Sequence, residues 1–405
     1  MWLLQMSNSV KIPVSDIQLG MKIKIPSAWK DHPFFRSSIR VKTAKELHVI
    51  KGLSLPYVYL LDGHYQTQDL KRESSTAESP APLPEQSIFD PSKEIKQAIQ
   101  RSQKRFSFNI DENQIIQNKM LTDPEGAYRL STAVVEQLYQ HLTEAEDTRL
   151  CSVRKPEAHR DVSQHCVSVA VISMILAKTI GLSEEQIRDV AQGALIHDYG
   201  KSKVPDSIVR KTGELTKSEK NFLNLHPTYG VNILKPQGVW SDAVLSIVGS
   251  HHEYIDGSGF PQQLKGDQIP ITTQVVSLAN EFDILLNDPK FSSSKLALGY
   301  LYKYGAKRHA PELLAALIKI IGVFPPGTIV KLQDGSFAKV LVNKNHSNFP
   351  DVISRTASGK QTKMRCLESE QVAIESVVSK DDLEENVLHS LGGDQAVSFY
   401  FCAES

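Results

Sequence analysis

Five of the 13 histidines stand where metal chemistry could use them. His165 falls in one stretch of helical apolar spacing, His197-Asp198 closes the next, and His226 sits in a third. His251-His252 follow the apolar run 244–248, and Asn280 and Asp283 lie in a later helical stretch, 275–286. The intervals between the histidine positions, about 25 to 32 residues, are one helix-turn-helix each, so successive helices of a bundle can bring ligands to one centre. Neutral imidazoles with a carboxylate suit a first-row transition metal, and an adjacent His-Asp lets one carboxylate reach two ions. A lone histidine is usually a core or surface residue, and the other eight, from His32 to His389, are read that way. Two dipeptides at helix ends of one region resist that reading.

The elements that must position these groups have their own signals. Ser183-Glu-Glu-Gln186 and Thr216-Lys-Ser-Glu219 are capping boxes that mark helix starts. After the first, Ile187, Val190, Ala191, Ala194 and Leu195 recur at helical spacing and lead into His197. After the second, Phe222, Leu225, Tyr229 and Ile233 form one stripe with His226 beside it. An earlier helix carries His165, Val169, Ile172 and Leu176 and ends at Gly181.

Residues 10–65 mix alternating segments, 22–25 and 57–60, with an amphipathic stretch at 43–50, and read as a small α+β domain. Residues 66–92 are Pro/Ser-rich without apolar periodicity and read as a linker. Residues 93–325 are patterned as helices. Within 326–405, segments 328–332 and 337–342 flank Asp334-Gly335 as a β-hairpin, and the rest reads as a small β element and a polar tail. The expected fold class is mainly α, a helical bundle, with a small N-terminal α+β domain and a short β-containing C-terminal region.

Read together, the motifs resemble a known family. His197-Asp-Tyr-Gly-Lys201, followed by Val204-Pro205 and Ile208-Val209, is similar to the HDxGK signature of the HD superfamily of metal phosphohydrolases. His251-His-Glu-Tyr-Ile-Asp-Gly-Ser-Gly-Phe-Pro261 resembles the HHExxDGxGYP signature of the HD-GYP subfamily. His226-Pro227 between them and Ala279-Asn-Glu-Phe-Asp283 after them complete that subfamily's order, over residues 150–325. Upstream, Gly20-Met21, Trp29, Asp31-His-Pro-Phe34 and Ser37-Ser38 look like an uncharacterised small domain often found ahead of HD-GYP domains.

The resemblance implies an HD-superfamily helical bundle around two divalent ions, iron or manganese, and Asp161 matches the acidic position that some members use for a third. It implies a cyclic-dinucleotide phosphodiesterase, typically opening cyclic di-GMP to a linear dinucleotide or mononucleotides in bacterial second-messenger signalling. One ion would take His165, His197, Asp198 and Asn280; the second would share Asp198 and add His226, His251 and His252. Lys201 would set a cation against the phosphate, and Asp283 would orient the attacking water or shuttle a proton. Each also has a plainer reading, as a helix-end cation and a surface carboxylate, and Asp161 as a solvated helix-start carboxylate. Gly259, Phe260 and Pro261 would line the substrate side, and their loop would meet other signalling proteins.

Three positions depart from the family. Asn280 replaces a ligand aspartate, Phe260 replaces the tyrosine of Gly-Tyr-Pro, and the family's nucleotide-binding arginine is missing from 287–291. The rival readings are therefore another cyclic dinucleotide, such as cyclic GMP-AMP, or a catalytically silent nucleotide- or protein-binding relative.

Composition sets the outer limits. The 405 residues allow two or three domains. Forty-six basic against 46 acidic side chains remove the whole-chain basic field of a duplex-DNA or polybasic membrane binder, but not a local anion site. Four scattered cysteines make neither a disulfide scaffold nor a CxxC zinc site. The longest apolar stretch, 167–180, is shorter than the ~20 residues a bilayer needs, so no membrane span is expected. The N-terminus lacks signal-peptide features, Met6 could equally be the start, and a cytoplasmic protein is expected.

Overall fold

The computed structural model describes residues 10–24, 38–41, 47, 50, 57–62, 91–153, 161–211, 213–343, 349–355, 359 and 361–403. Near the N-terminus, β1 (Val10–Pro13), β2 (Lys22–Lys24), β3 (Ser38–Arg40) and β4 (Tyr57–Asp62) form an antiparallel sheet in the order β1-β4-β2-β3. Alternation turns Val58 and Leu60 inward, which is why 57–60 was legible as a strand. Of the amphipathic stretch 43–50, only Leu47 and Ile50 are described, both helical; 66–90, most of the expected linker, lies outside the described residues.

Among the described residues, nine longer helices carry the rest: α1 (Pro91–Lys119), α2 (Pro124–Thr143), α3 (Val162–Thr179), α4 (Glu184–Ile196), α5 (His226–Leu234), α6 (Asp242–Ser250), α7 (Ile271–Leu286), α8 (Ser294–Gly305) and α9 (Pro311–Ile321). At their centre is α3, apolar nearly all round, with 14 of its 18 residues buried against neighbours that include α4, α7 and α1. Among the described residues it is also the only helix long and apolar enough to cross a membrane; its place in the core explains that composition.

The stripe read through Phe222 and Ile233 is two helices, not one. Lys217–Leu223 stops, and α5 begins at His226 with Pro227 in its first turn, where a missing N–H costs nothing. Phe222 and Leu225 are left exposed, while His226 is buried.

One strand interrupts the region read as mostly helical. β5 (Arg149–Val153) joins β6 (Ile329–Leu332), β7 (Phe337–Val342), β8 (Asp351–Arg355), β9 (Lys363–Cys366), β10 (Ile374–Val377) and β11 (Ser398–Cys402) in a seven-stranded sheet. The expected hairpin is β6–β7, turning at Gly335 with φ +83°. The polar tail is a correction. All five residues of β11 are buried, paired antiparallel to β5, with the Tyr400 ring 6.0 Å from Phe106 of α1. Asn109 Nδ2 donates to the Tyr400 hydroxyl at 2.6 Å. A buried strand with four apolar residues in a row, Phe399 to Cys402, enclosed on both faces shows no alternation, and the polar residues before it mask it in composition.

Candidate metal centre

Helix ends deliver the ligand-type side chains. His197 is the C-cap of α4, whose start is fixed by the Ser183/Gln186 capping box; His251 is the C-cap of α6; His226 opens α5; His165 lies in the first turn of α3. Close approach of α5 to the turn after Asp198 requires Gly200, where a Cβ would stand 1.9 Å from the His226 carbonyl oxygen.

Backbone carbonyls fix the imidazole tautomers. Nδ1–H of His197 donates to Ala194 O at 2.7 Å, that of His226 to Leu223 O at 2.8 Å, and that of His251 to Val248 O at 3.0 Å. A carbonyl only accepts, so each Nε2 carries a bare lone pair pointed inward. His226 and His251 then face each other Nε2 to Nε2 at 3.0 Å, and His197 faces His165 at 3.3 Å. Bare lone pairs at that distance repel unless a cation sits among them. His165 is oriented by a carboxylate: its Nδ1 lies 2.6 Å from Oδ2 of the fully buried Asp283.

Asp198 stands between the two groups. Its Oδ2 is 3.6 Å from both His165 Nε2 and His197 Nε2, while Oδ1 is 3.3 Å from His226 Nε2 and 3.8 Å from His251 Nε2. The ligand atoms of His165, His197 and Asp198 lie within 4.8 Å of one another, as do those of His226, His251 and His252. Burial drives the His197 imidazole down to about 4 and holds His251 and His252 well below the usual histidine range. Burial works against the Asp198 carboxylate, yet Lys201 and the surrounding imidazoles keep it well below the usual carboxylate range. Neutral imidazoles around an ionised carboxylate are the protonation state that metal ligands need. Asn280 is buried one turn before Asp283, and its Oδ1 has no hydrogen-bond partner among the described residues. This donor set fits a divalent transition metal.

Other positions named from the sequence fall around this cluster. Lys201 Nζ donates to Asp198 Oδ2 at 2.6 Å, so its charge is set against the carboxylate. Asp161 caps α3, accepting from Gln164 N at 2.6 Å through one oxygen and from Gln114 at 2.8 Å through the other, so a third ion there would have to compete with the cap. Phe260 stacks on His252, with centroids 4.5 Å apart and an interplanar angle of 18°. At Gly259 a Cβ would meet Glu253 Cα and the His252 carbonyl oxygen at 2.5 Å. Glu253 is the residue that motif reading passed over. Its buried carboxylate accepts from Gln262 N at 2.6 Å, Gln263 N at 3.1 Å and Leu264 N at 3.0 Å, folding the loop that carries Phe260 and Pro261. The signal was its place directly after His251-His252.

Residues 137–313 match the family described as HD domain, and residues 9–161 match a domain of unknown function. Residues 137–313 thus carry an HD domain. It is 24% identical over 345 residues, 83% of its length and 82% of the relative's, to a cyclic di-GMP phosphodiesterase of Pseudomonas aeruginosa. A cyclic di-GMP phosphodiesterase response regulator of Xanthomonas campestris is 35% identical over 152 residues, 36% of this chain and 40% of that protein. A 3'3'-cGAMP-specific phosphodiesterase of Vibrio cholerae is 36% identical over 127 residues, 31% of this chain and 24% of that one. Both histidine groups lie inside the matched HD segment. The unknown-function match reaches past the small sheet through α1 and α2 to the start of α3.

Proposed function

We propose that the chain is a metal-dependent phosphodiesterase that opens cyclic di-GMP to a linear dinucleotide in the bacterial cytoplasm. The observation that carries this is the Asp198 carboxylate, one oxygen turned to His165 and His197 and the other to His226 and His251. Two ions, iron or manganese, would be held by His165, His197, Asp198 and Asn280 on one side and by Asp198, His226, His251 and His252 on the other. When bound, such a pair supplies Lewis acidity and an activated water near neutral pH.

The chain's own groups do the rest. Asp283 holds the His165 Nδ1 proton and with it the ring's direction. Lys201 adds a fixed positive charge beside Asp198, where the phosphodiester anion and the charge that builds up on it in the transition state would be stabilised. Gly259, Phe260 and Pro261, folded by Glu253, give an apolar wall against which a base can stack, with Phe260 also fixing the His252 ring.

A second reading, hydrolysis of cyclic GMP-AMP, is favoured by Phe260, which has the ring but not the hydroxyl of the family's Gly-Tyr-Pro. The experiment is turnover of cyclic di-GMP, cyclic GMP-AMP and cyclic di-AMP by protein loaded with manganese and with ferrous iron. Preferential opening of cyclic di-GMP is expected. Metal-loaded protein that opens none of them would make the chain a binding protein instead.

A further inference from the structure

Helix α7 sets Asp283 against His165, and along an adjacent face it carries Ser277 and Glu281, one turn apart. Ser277 Oγ donates to the Glu253 carbonyl at 3.1 Å. The Glu281 side chain is only 12% exposed and answers two residues from the turn between α8 and α9. Its Oε1 pairs with the Arg308 guanidinium, and its Oε2 lies 2.7 Å from Nε2 of the buried His309, one of the histidines read as bland in the sequence. Tyr254 packs on both partners: its ring meets His309 with centroids 5.4 Å apart at 85°, and the Arg308 guanidinium lies 4.9 Å from its centre. The backbone completes the clamp, with Ile255 N donating to Arg308 O and Ile255 O accepting from Gly266 N, each at 3.0 Å.

A carboxylate so little exposed is held by the groups that answer it, and a planar guanidinium fixes direction as well as distance. The residues clamped here, 254 and 255, begin the loop whose far end returns to the metal centre, where Phe260 N donates to His252 O at 3.2 Å and the Phe260 ring stacks on His252. We propose that Glu281, through Arg308 and His309, is a positioning residue for the substrate: it locks the loop 252–261 to the helix that carries Asn280 and Asp283, so that the Phe260 wall and the metal centre keep one relative placement. The proposal rests on the phosphodiesterase reading of the site. Because Glu281 acts through Arg308 and His309, its effect belongs to substrate binding and not to the chemical step.

The test measures kcat, KM for cyclic di-GMP and manganese content of the full chain carrying Glu281→Ala, Glu281→Gln or Arg308→Met. Hydrogen exchange is mapped on the same manganese-loaded proteins without substrate. Glu281→Ala should raise KM about tenfold, the worth of one charged hydrogen bond, while kcat changes less than about twofold and manganese content stays at the wild-type level. Glu281→Gln, which keeps an oxygen for one partner, should recover part of that loss. Arg308→Met, at a side chain 25% exposed, keeps the stem and removes the charge, so it should raise KM with the fold intact. In Glu281→Ala and Arg308→Met, amides 253–261 should exchange faster than in wild type.

An unchanged KM in both Glu281→Ala and Arg308→Met would overturn the proposal. So would a fall in kcat matched by lost manganese, which would make the cluster a support for the metal ligands. Wild-type protein that opens no cyclic dinucleotide would end the phosphodiesterase reading alone; the clamp is then decided by exchange at 253–261, and no acceleration there overturns it.

Discussion

Replacing Asp283 by asparagine tests how the centre is held. Asp283 is fully buried, and its Oδ2 lies 2.6 Å from His165 Nδ1, so it works through the ligand ring and not on the substrate. A hydrogen bond to a charged group contributes about 1.5–3 kcal/mol and a neutral one about 0.5–1.5 kcal/mol. Asparagine can still offer an oxygen to Nδ1–H, so the loss is the difference, about 1–2 kcal/mol, or roughly five- to thirtyfold in an equilibrium constant. Asp283→Ala, which leaves no acceptor, should reach about a hundredfold. The assay titrates metal-free protein with manganese and then measures turnover at saturating metal. Asp283→Asn should shift the binding midpoint by the five- to thirtyfold given above, while fully loaded protein keeps turnover within about tenfold of wild type. An unchanged midpoint with turnover down by about 10² or more at saturating metal would refute the positioning role and make Asp283 a proton carrier.

Asp198→Ala should abolish hydrolysis, on the order of 10³-fold or more, because the one carboxylate that reaches both histidine groups is lost; turnover above roughly a tenth of wild type, with the circular dichroism unchanged, would sink the two-ion mechanism. Asn280→Asp should raise metal content at limiting metal, since a carboxylate adds a full charge where an amide oxygen brings none; equal content by elemental analysis would place Asn280 outside the ligand set. Limited proteolysis should cut first within 66–92, where the sequence lacks apolar periodicity and offers little surface to bury, and an initial cut inside 150–325 with the linker spared contradicts the boundary. His141, packed at 2.9 Å against the Tyr400 hydroxyl, is lowered to about 4, mainly by burial. The unfolded chain takes up that proton from about pH 6.5 downward and the folded chain only near 4, so stability should fall with pH across that window, and His141→Asn should flatten the fall in thermal midpoint.

Local signals were readable without the fold. Both capping boxes form as written, because Ser183 with Gln186 and Thr216 with Glu219 need only the three-residue spacing of a first turn. The hairpin at Gly335 and the apolar continuity of α3 are equally local. The motif pairs were legible too, since chemically unusual neighbours such as His197-Asp198 and His251-His252 stand out in any conformation.

By itself, then, the sequence determined which residue types stand at which helix ends, and so the class of chemistry. Tertiary structure decided the rest. Asp283 meets His165 across 118 residues, and no periodicity encodes that partner; without it the carboxylate read as a water or proton handler. The two directions of the Asp198 carboxylate depend on how α3, α5 and α6 pack, as does the facing of the Nε2 lone pairs. β11 lies under α1 and α3 because its four apolar residues, Phe399 to Cys402, can be enclosed only by elements from elsewhere in the chain. Backbone spacing constrains neighbours within a turn or a strand; contacts between distant segments follow from which faces bury together, and only the folded chain chooses those.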